Sequence, residues 1–174
     1  VVVGVGSDRP GVAGLDRAGA AGVPVFVHPY RGGQDRAAWD AELTELVAGF
    51  EPDLVVCAGF MKLLGDNFLT RFGGQVINTH PALLPAFPGM HGPRDALAYG
   101  VKVSGCTVHF VDEGCDTGPI IMQGVNPIEE GESFESFHER GLKIEHQVLP
   151  EAIKLYCEGR LKVEGRRVKI LGKE

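Results

Sequence analysis

Residues 53–60, DLVVCAGF, form a continuous apolar run that ends in Ala-Gly-Phe. A short apolar stretch without period-two alternation predicts a strand buried on both faces of a parallel sheet. A parallel strand needs a long return connection, usually a helix, and the flanking sequence supplies such segments. Residues 36–50 place Trp39, Leu43, Leu46, Val47 and Phe50 at helical spacing, and a shorter helix is expected over residues 67–72. The opening VVVGVGSD reads as a buried strand followed at once by a turn, residues 12–21 as a small-residue helix, and residues 23–27 and 75–79 as strands. Strand and helix alternating in this way predict an α/β fold, a mainly parallel twisted sheet flanked by helices. Such sheets take ligands at the carboxyl ends of their strands.

Beyond the Pro-rich loop of residues 81–93, a helix near residues 94–99 leads into two strands, residues 104–111 and 119–125. Phe134, Phe137, Ile144, Val148, Ala152 and Leu155 set out one face of a long final helix. Pro150 is expected to kink it, since proline removes a backbone donor from a helix interior. Arg160, Lys162, Arg166, Arg167 and Lys169 then alternate with apolar residues in a hairpin-like stretch, read as a solvated sheet edge.

With 174 residues the chain suits a single domain. The net charge of −6 argues against a nucleic-acid partner, because phosphate binding calls for clustered Lys and Arg over a face. Cys57, Cys106, Cys115 and Cys157 form no C-x-x-C pair, and three sit within apolar patterns where cysteine acts as a small hydrophobe. No apolar run is long enough to span a bilayer, and a cytoplasmic protein with no membrane partner is expected.

Chemistry concentrates in two places. Asn78 and His80 stand two apart at the end of a strand, so both side chains point to one side as the chain leaves the sheet. An amide and an imidazole there suit stabilisation of an oxyanion, although either residue alone reads first as a satisfied turn residue. Three prolines among residues 81–89 stiffen the loop that follows. The second place is the acidic turn DEGCDTGP, residues 112–119. A carboxylate beside an imidazole favours its charged form, and Asp116, just before Gly-Pro, is the better-placed candidate.

The segments AGFMKLL (58–64), INTHPALLPAFPGMHG (77–92), TVHFVDEGCDTGPI (107–120) and IEHQVLP (144–150) together resemble the folate-dependent formyltransferases, specifically the glycinamide ribonucleotide transformylases. The resemblance runs from Val1 to about Arg160, and it implies a Rossmann-like fold. It places the family's catalytic Asn, His and Asp on Asn78, His80 and Asp116, and a family His on His109, which is either a supporting group or a core histidine. The implied donor is 10-formyltetrahydrofolate as co-substrate, with no metal. Its carrier contacts would fall on Arg36, on Met61, Lys62, Leu63 and Leu64, on Asn78, and on Asp112, Glu113, Gly114, Cys115 and Asp116. Glu145 matches a residue near the acceptor glycinamide ribonucleotide, or else is a solvated helix glutamate. Lys62 stands where an Arg is frequent and Cys115 where an aliphatic residue is frequent. A monomer or homodimer is expected.

The resemblance also implies a first strand, phosphate-binding loop and helix ahead of Val1, so that first βα unit is expected to be missing here. Two related activities need the same trio. A 10-formyltetrahydrofolate hydrolase passes the formyl group to water, and a third group transfers it to initiator tRNA with the help of a basic C-terminal domain, which a short acidic sequence of this kind is not expected to carry.

Overall fold

The computed structural model describes residues 1–172. They group into two compact units: Val1–Val55 with Lys62–Gln75, and Val56–Met61 with the chain from Val76 onward.

In the first unit, β1 (Val5–Ser7) and β2 (Val25–Val27) pair in parallel, with helix α1 (Ala13–Ala20) in the connection. A Cβ at residue 6 would stand 2.2 Å from the Phe26 ring, so any residue larger than glycine there would displace that ring. Val1, Val2 and Val3 precede β1 and are exposed, where the opening apolar run predicts a buried strand. Helix α2 (Arg36–Ala48) starts on Asp35, whose carboxylate accepts from the amides of Ala37 and Ala38. Trp39 and Leu43 are buried as their spacing predicts, but Leu46 is 41% exposed, and Asp40 and Thr44 are buried instead. The reason is helix α3 (Asp66–Phe72), which begins on Gly65 and so has no side chain of its own to cap it. Asp40 reaches over from α2 and accepts from the amides of Gly65 at 2.7 Å and Phe68 at 3.2 Å. A carboxylate at the positive end of a helix is favourable there.

The second unit carries β3 (Val55–Ala58, whose first residue belongs to the other unit), β4 (Val76–His80), helix α4 (Gly92–Tyr99), β5 (Val103–Phe110), β6 (Ile120–Pro127), helix α5 (Phe134–Cys157), β7 (Leu161–Glu164) and β8 (Arg167–Ile170). Its strands lie in the order β3-β4-β5-β6-β8-β7. The α/β class with flanking helices is as the sequence predicts. Parallel pairing holds for β1–β2 and for β6–β8, whereas β4–β5, β5–β6 and β7–β8 are antiparallel. The turn from β5 to β6, residues 111–119, is too short for a helical return, so those strands must run in opposite directions.

Full burial falls on other strands than expected. β3, from the most apolar run, alternates half-buried and exposed residues because it is the outermost strand of its sheet. β5, by contrast, is buried from Ser104 through Phe110. Helix α5 continues through Pro150 without interruption. It lies so close on β6 that a Cβ on Gly124 would meet Ile144 at 2.4 Å and Val148 at 2.8 Å.

Most of the basic hairpin's cations are engaged locally. Lys162 and Lys169 pair with Glu164, and Arg160 pairs with Glu158. All four cysteines are free thiols, and of them Cys106 alone is deeply buried. No helix among the described residues is long and apolar enough to cross a membrane.

Candidate active site

The sheet register assembles the site. Asn78 lies directly opposite His109 and His80 opposite Thr107, so side chains from β4 and β5 meet on one face. Thr107 and Gln123 fasten the stiff loop that follows His80. The Thr107 hydroxyl donates to the Ala82 carbonyl at 2.7 Å and accepts from the Leu84 amide at 3.1 Å. The Gln123 amide donates to Thr107 Oγ1 and to the Leu84 carbonyl, each at 3.0 Å. The Leu84-Pro85 peptide is cis, and Phe87 takes a left-handed φ of 52°.

That backbone turns the Phe87 carbonyl onto His80, whose Nε2 is 2.7 Å away. His80 Nδ1 faces Asp116 Oδ2 at 3.4 Å. Both ring nitrogens of a residue only 3% exposed therefore face acceptors. Asp116 also accepts from the Gly89 amide at 2.8 Å, which ties the acidic turn to the proline loop. It holds this place with a left-handed φ of 55°. Around it, Asp112 accepts from the Gly114 amide and the Thr117 hydroxyl. Gly118 passes so near the Phe110 carbonyl that a Cβ would lie 1.7 Å from its oxygen.

His109 occupies the other side of the carboxylate, with Nε2 3.7 Å from Asp116 Oδ1. Its Nδ1 donates to the Phe110 carbonyl at 2.8 Å, leaving Nε2 to accept from the Asn78 amide nitrogen at 3.3 Å. Burial holds its pKa below the ordinary imidazole value, against the opposing pull of the Phe110 carbonyl and Asp116. A neutral His109 thus fixes which way the Asn78 amide faces. Asn78 itself is only half-buried, so the rest of its amide can serve a bound molecule. His109 is thus a buried core histidine that also contacts Asn78 and faces Asp116.

The other expected site residues are placed as follows. In the first unit, the Arg36 guanidinium lies over the rings of Trp39 at 4.5 Å and Tyr30 at 5.0 Å and donates to the Leu63 carbonyl. Lys62 is ion-paired with Asp8. Leu63 exposes 58% of its surface, and Met61, in the second unit, 53%. Asp112, Glu113 and Cys115 are exposed, with the Cys115 thiol pushed up by desolvation and by the neighbouring Asp116 charge. Glu145, on α5, is half-buried; burial raises its pKa, opposed by His146, Thr79, His138 and His80. Among the described residues no group of three or more His, Cys, Asp and Glu is placed to hold a metal ion.

Sequence reasoning missed Thr107, Gln123 and the backbone groups of Phe87 and Gly89. Thr107 carries a faint signal as a polar residue within an apolar strand.

An imidazole backed by a carboxylate, beside an oriented amide donor, can stabilise negative charge developing on a carbonyl oxygen and relay a proton. The model of the formyl transferase family matches residues 1–153. Phosphoribosylglycinamide formyltransferase of Mycobacterium tuberculosis (strain CDC 1551 / Oshkosh) is 51% identical over 165 residues, 95% of this chain and 76% of that protein. Among solved structures, glycinamide ribonucleotide transformylase 1 from Symbiobacterium toebii superposes with a TM-score of 0.94 at 48% identity, covering 98% of this chain and 80% of that one. A formyltetrahydrofolate deformylase from Pseudomonas syringae pv. tomato is more distant, with a TM-score of 0.84 at 26% identity over 97% of this chain and 65% of its own. The chain belongs to the formyl transferase family, alongside the phosphoribosylglycinamide formyltransferases.

Proposed function

We propose that this chain, acting as one catalytic domain, transfers the formyl group of 10-formyltetrahydrofolate to the amine of glycinamide ribonucleotide, a step in purine biosynthesis. The observation that carries the reading is the pair of acceptors on His80, the Phe87 carbonyl at 2.7 Å and Asp116 at 3.4 Å. A histidine so held is anchored through both ring nitrogens at a site whose chemistry creates an oxyanion. Attack of the acceptor amine on the formyl carbon makes a tetrahedral centre, and its oxygen takes hydrogen bonds from the Asn78 amide and from His80. His80 Nε2 reaches that oxygen by exchanging it for the Phe87 carbonyl. Asp116 orients the imidazole and helps move, through water, the proton lost by the amine to the folate nitrogen that departs. Atoms balance without a metal or a covalent enzyme intermediate.

The residues present fit a folate. Leu63 in the first unit and Met61 in the second each expose apolar surface of the kind a flat heterocycle needs, and in the second unit Asp112, Glu113 and Cys115 stand on an exposed turn. Arg36 and Lys62 serve indirectly, since each already has a protein partner, the Leu63 carbonyl and Asp8. Glu145 accepts a hydrogen bond from the acceptor amine.

The test is turnover with glycinamide ribonucleotide, water and initiator tRNA as competing acceptors, in wild type and in Asp116→Asn and His80→Ala. Formylated glycinamide ribonucleotide is the expected product, and each variant should lose turnover on the order of a hundredfold to ten-thousandfold with little change in folate affinity. Predominant transfer to water or tRNA would overturn the acceptor assignment. Near-normal turnover in either variant would overturn the site assignment.

A further inference from the structure

The tip of the C-terminal hairpin touches the acidic turn. Gly165, with φ 59°, and Arg166 link β7 to β8, and the Arg166 guanidinium donates to the Thr117 carbonyl through Nη1 at 2.8 Å and also through Nη2. Thr117 directly follows Asp116. The hairpin is seated on the same stretch of chain by a parallel bridge between Ile120 and Arg167. Arg166 lies beyond the residues that the family model matches, which end at 153.

We propose that Arg166 is a positioning residue for Asp116, an inference that rests on the catalytic reading of Asp116 given above. Asp116 is held in a left-handed conformation that non-glycine residues seldom adopt, and its neighbours must hold it there. On its N-terminal side, Asp112 ties the turn through Gly114 and Thr117. On its C-terminal side, the Thr117–Gly118 peptide has a fixed orientation, because the Thr117 oxygen takes both guanidinium donors while Gly118 is wedged against the Phe110 carbonyl. A fork of donors on one carbonyl defines a plane better than a single ammonium donor does. Loss of the fork frees that peptide to rotate, and a carboxylate 3.4 Å from His80 Nδ1 drifts out of reach with a small rotation. Two of the hairpin's other cations have a different occupation. Lys162 and Lys169 pair with Glu164, so the contact with the turn is a property of Arg166 and not of a general basic patch.

The experiment compares Arg166→Ala, Arg166→Lys and Lys169→Ala, alone and with Asp116→Asn, by steady-state kinetics, thermal melting and hydrogen exchange over residues 111–119. Arg166→Ala should lower kcat about tenfold with acceptor KM little changed. Exchange in the turn should rise while the melting temperature stays close to wild type. Arg166→Lys should recover part of kcat, and Lys169→Ala should match wild type. In the Asp116→Asn background Arg166→Ala should cause no further loss, since the two changes act through one group. If Arg166→Ala stays within about twofold of wild-type kcat while Asp116→Asn is crippled, the hairpin has no positioning role and the catalytic reading stands. Multiplicative losses in the double variant, or a kcat loss matched by a fall in melting temperature, also overturn the proposal. Near-normal turnover of Asp116→Asn alone would remove the reading beneath it.

Discussion

Glu145 shows how one residue carries two opposed demands. Burial raises its pKa above the ordinary glutamate value of 4.5, so the folded protein holds this proton more tightly than the unfolded chain does. The folded-state value being the higher, Glu145 contributes most stability below the ordinary value and loses it as pH climbs through the raised one. Glu145→Gln should therefore flatten the decline in unfolding free energy on the alkaline side of pH 4.5 and leave the variant more stable than wild type at neutral pH. His109 titrates with the opposite sign, its folded-state value lying below the ordinary one, but it is common to both proteins and cancels in the difference. The same variant should raise KM for glycinamide ribonucleotide and leave folate binding unchanged. Denaturant melts across pH with acceptor kinetics check both, and unchanged acceptor KM would show that Glu145 has no part in holding the acceptor. At this scale the sequence shows side chains but not the backbone atoms they meet. Asn78, His80 and Asp116 stand out in their motifs, whereas the Phe87 carbonyl and Gly89 amide that hold two of them carry no residue-type signal. His109 stayed ambiguous because its partner lies across a strand pair, and register is set by the folded sheet.

The loop after β4 is an element without regular secondary structure, held chiefly by one buried hydroxyl. Thr107 serves the Ala82 carbonyl, the Leu84 amide and the Gln123 side chain, and is itself fully buried. Thr107→Val keeps the shape and strands those groups, each costing about 1–3 kcal/mol when left unpaired, so a loss of roughly 2–4 kcal/mol is expected after relaxation. Thr107→Ser keeps the hydroxyl and should lose less than about 1.5 kcal/mol, the methyl alone. Urea unfolding measures the stabilities, and equal losses in the two variants would show that the methyl packing, not the hydroxyl, holds the loop. Helices were the most legible elements, because α2 and α5 present their apolar residues at helical spacing. Strand burial was less so. The run at residues 53–60 is apolar enough for a sheet centre yet forms an edge, and β5 is buried despite its polar Thr107 and His109, because these are satisfied by hydrogen bonds across the sheet. Asp40 within α2 illustrates the same limit, since the amides it caps belong to another helix.

On the scale of the whole molecule, charge decides which macromolecules the chain can hold. The net charge is −6, and its conspicuous basic stretch, the C-terminal hairpin, is largely neutralised from within by Glu158 and Glu164 or turned onto the Thr117 carbonyl. Nucleic-acid affinity is chiefly the release of counterions from phosphates met by Lys and Arg, which requires cations free to face the polymer. Glu164 in particular sits between Lys162 and Lys169, and its pKa is depressed by both, as expected of a carboxylate that answers two ammonium groups. A tRNA approaching this hairpin would have to displace those pairs while meeting the repulsion of the rest of the surface. This chain should show no saturable binding to initiator tRNA in fluorescence anisotropy, even at low ionic strength where such binding is strongest. Glu164→Gln is the informative variant, because it frees both lysines without adding a cation. If that variant binds tRNA weakly with affinity falling steeply in salt, internal neutralisation is what silences the hairpin. Saturable, salt-sensitive binding by the wild-type chain would instead show that the hairpin is a working phosphate surface, and would bring transfer to a tRNA-borne amine back into contention.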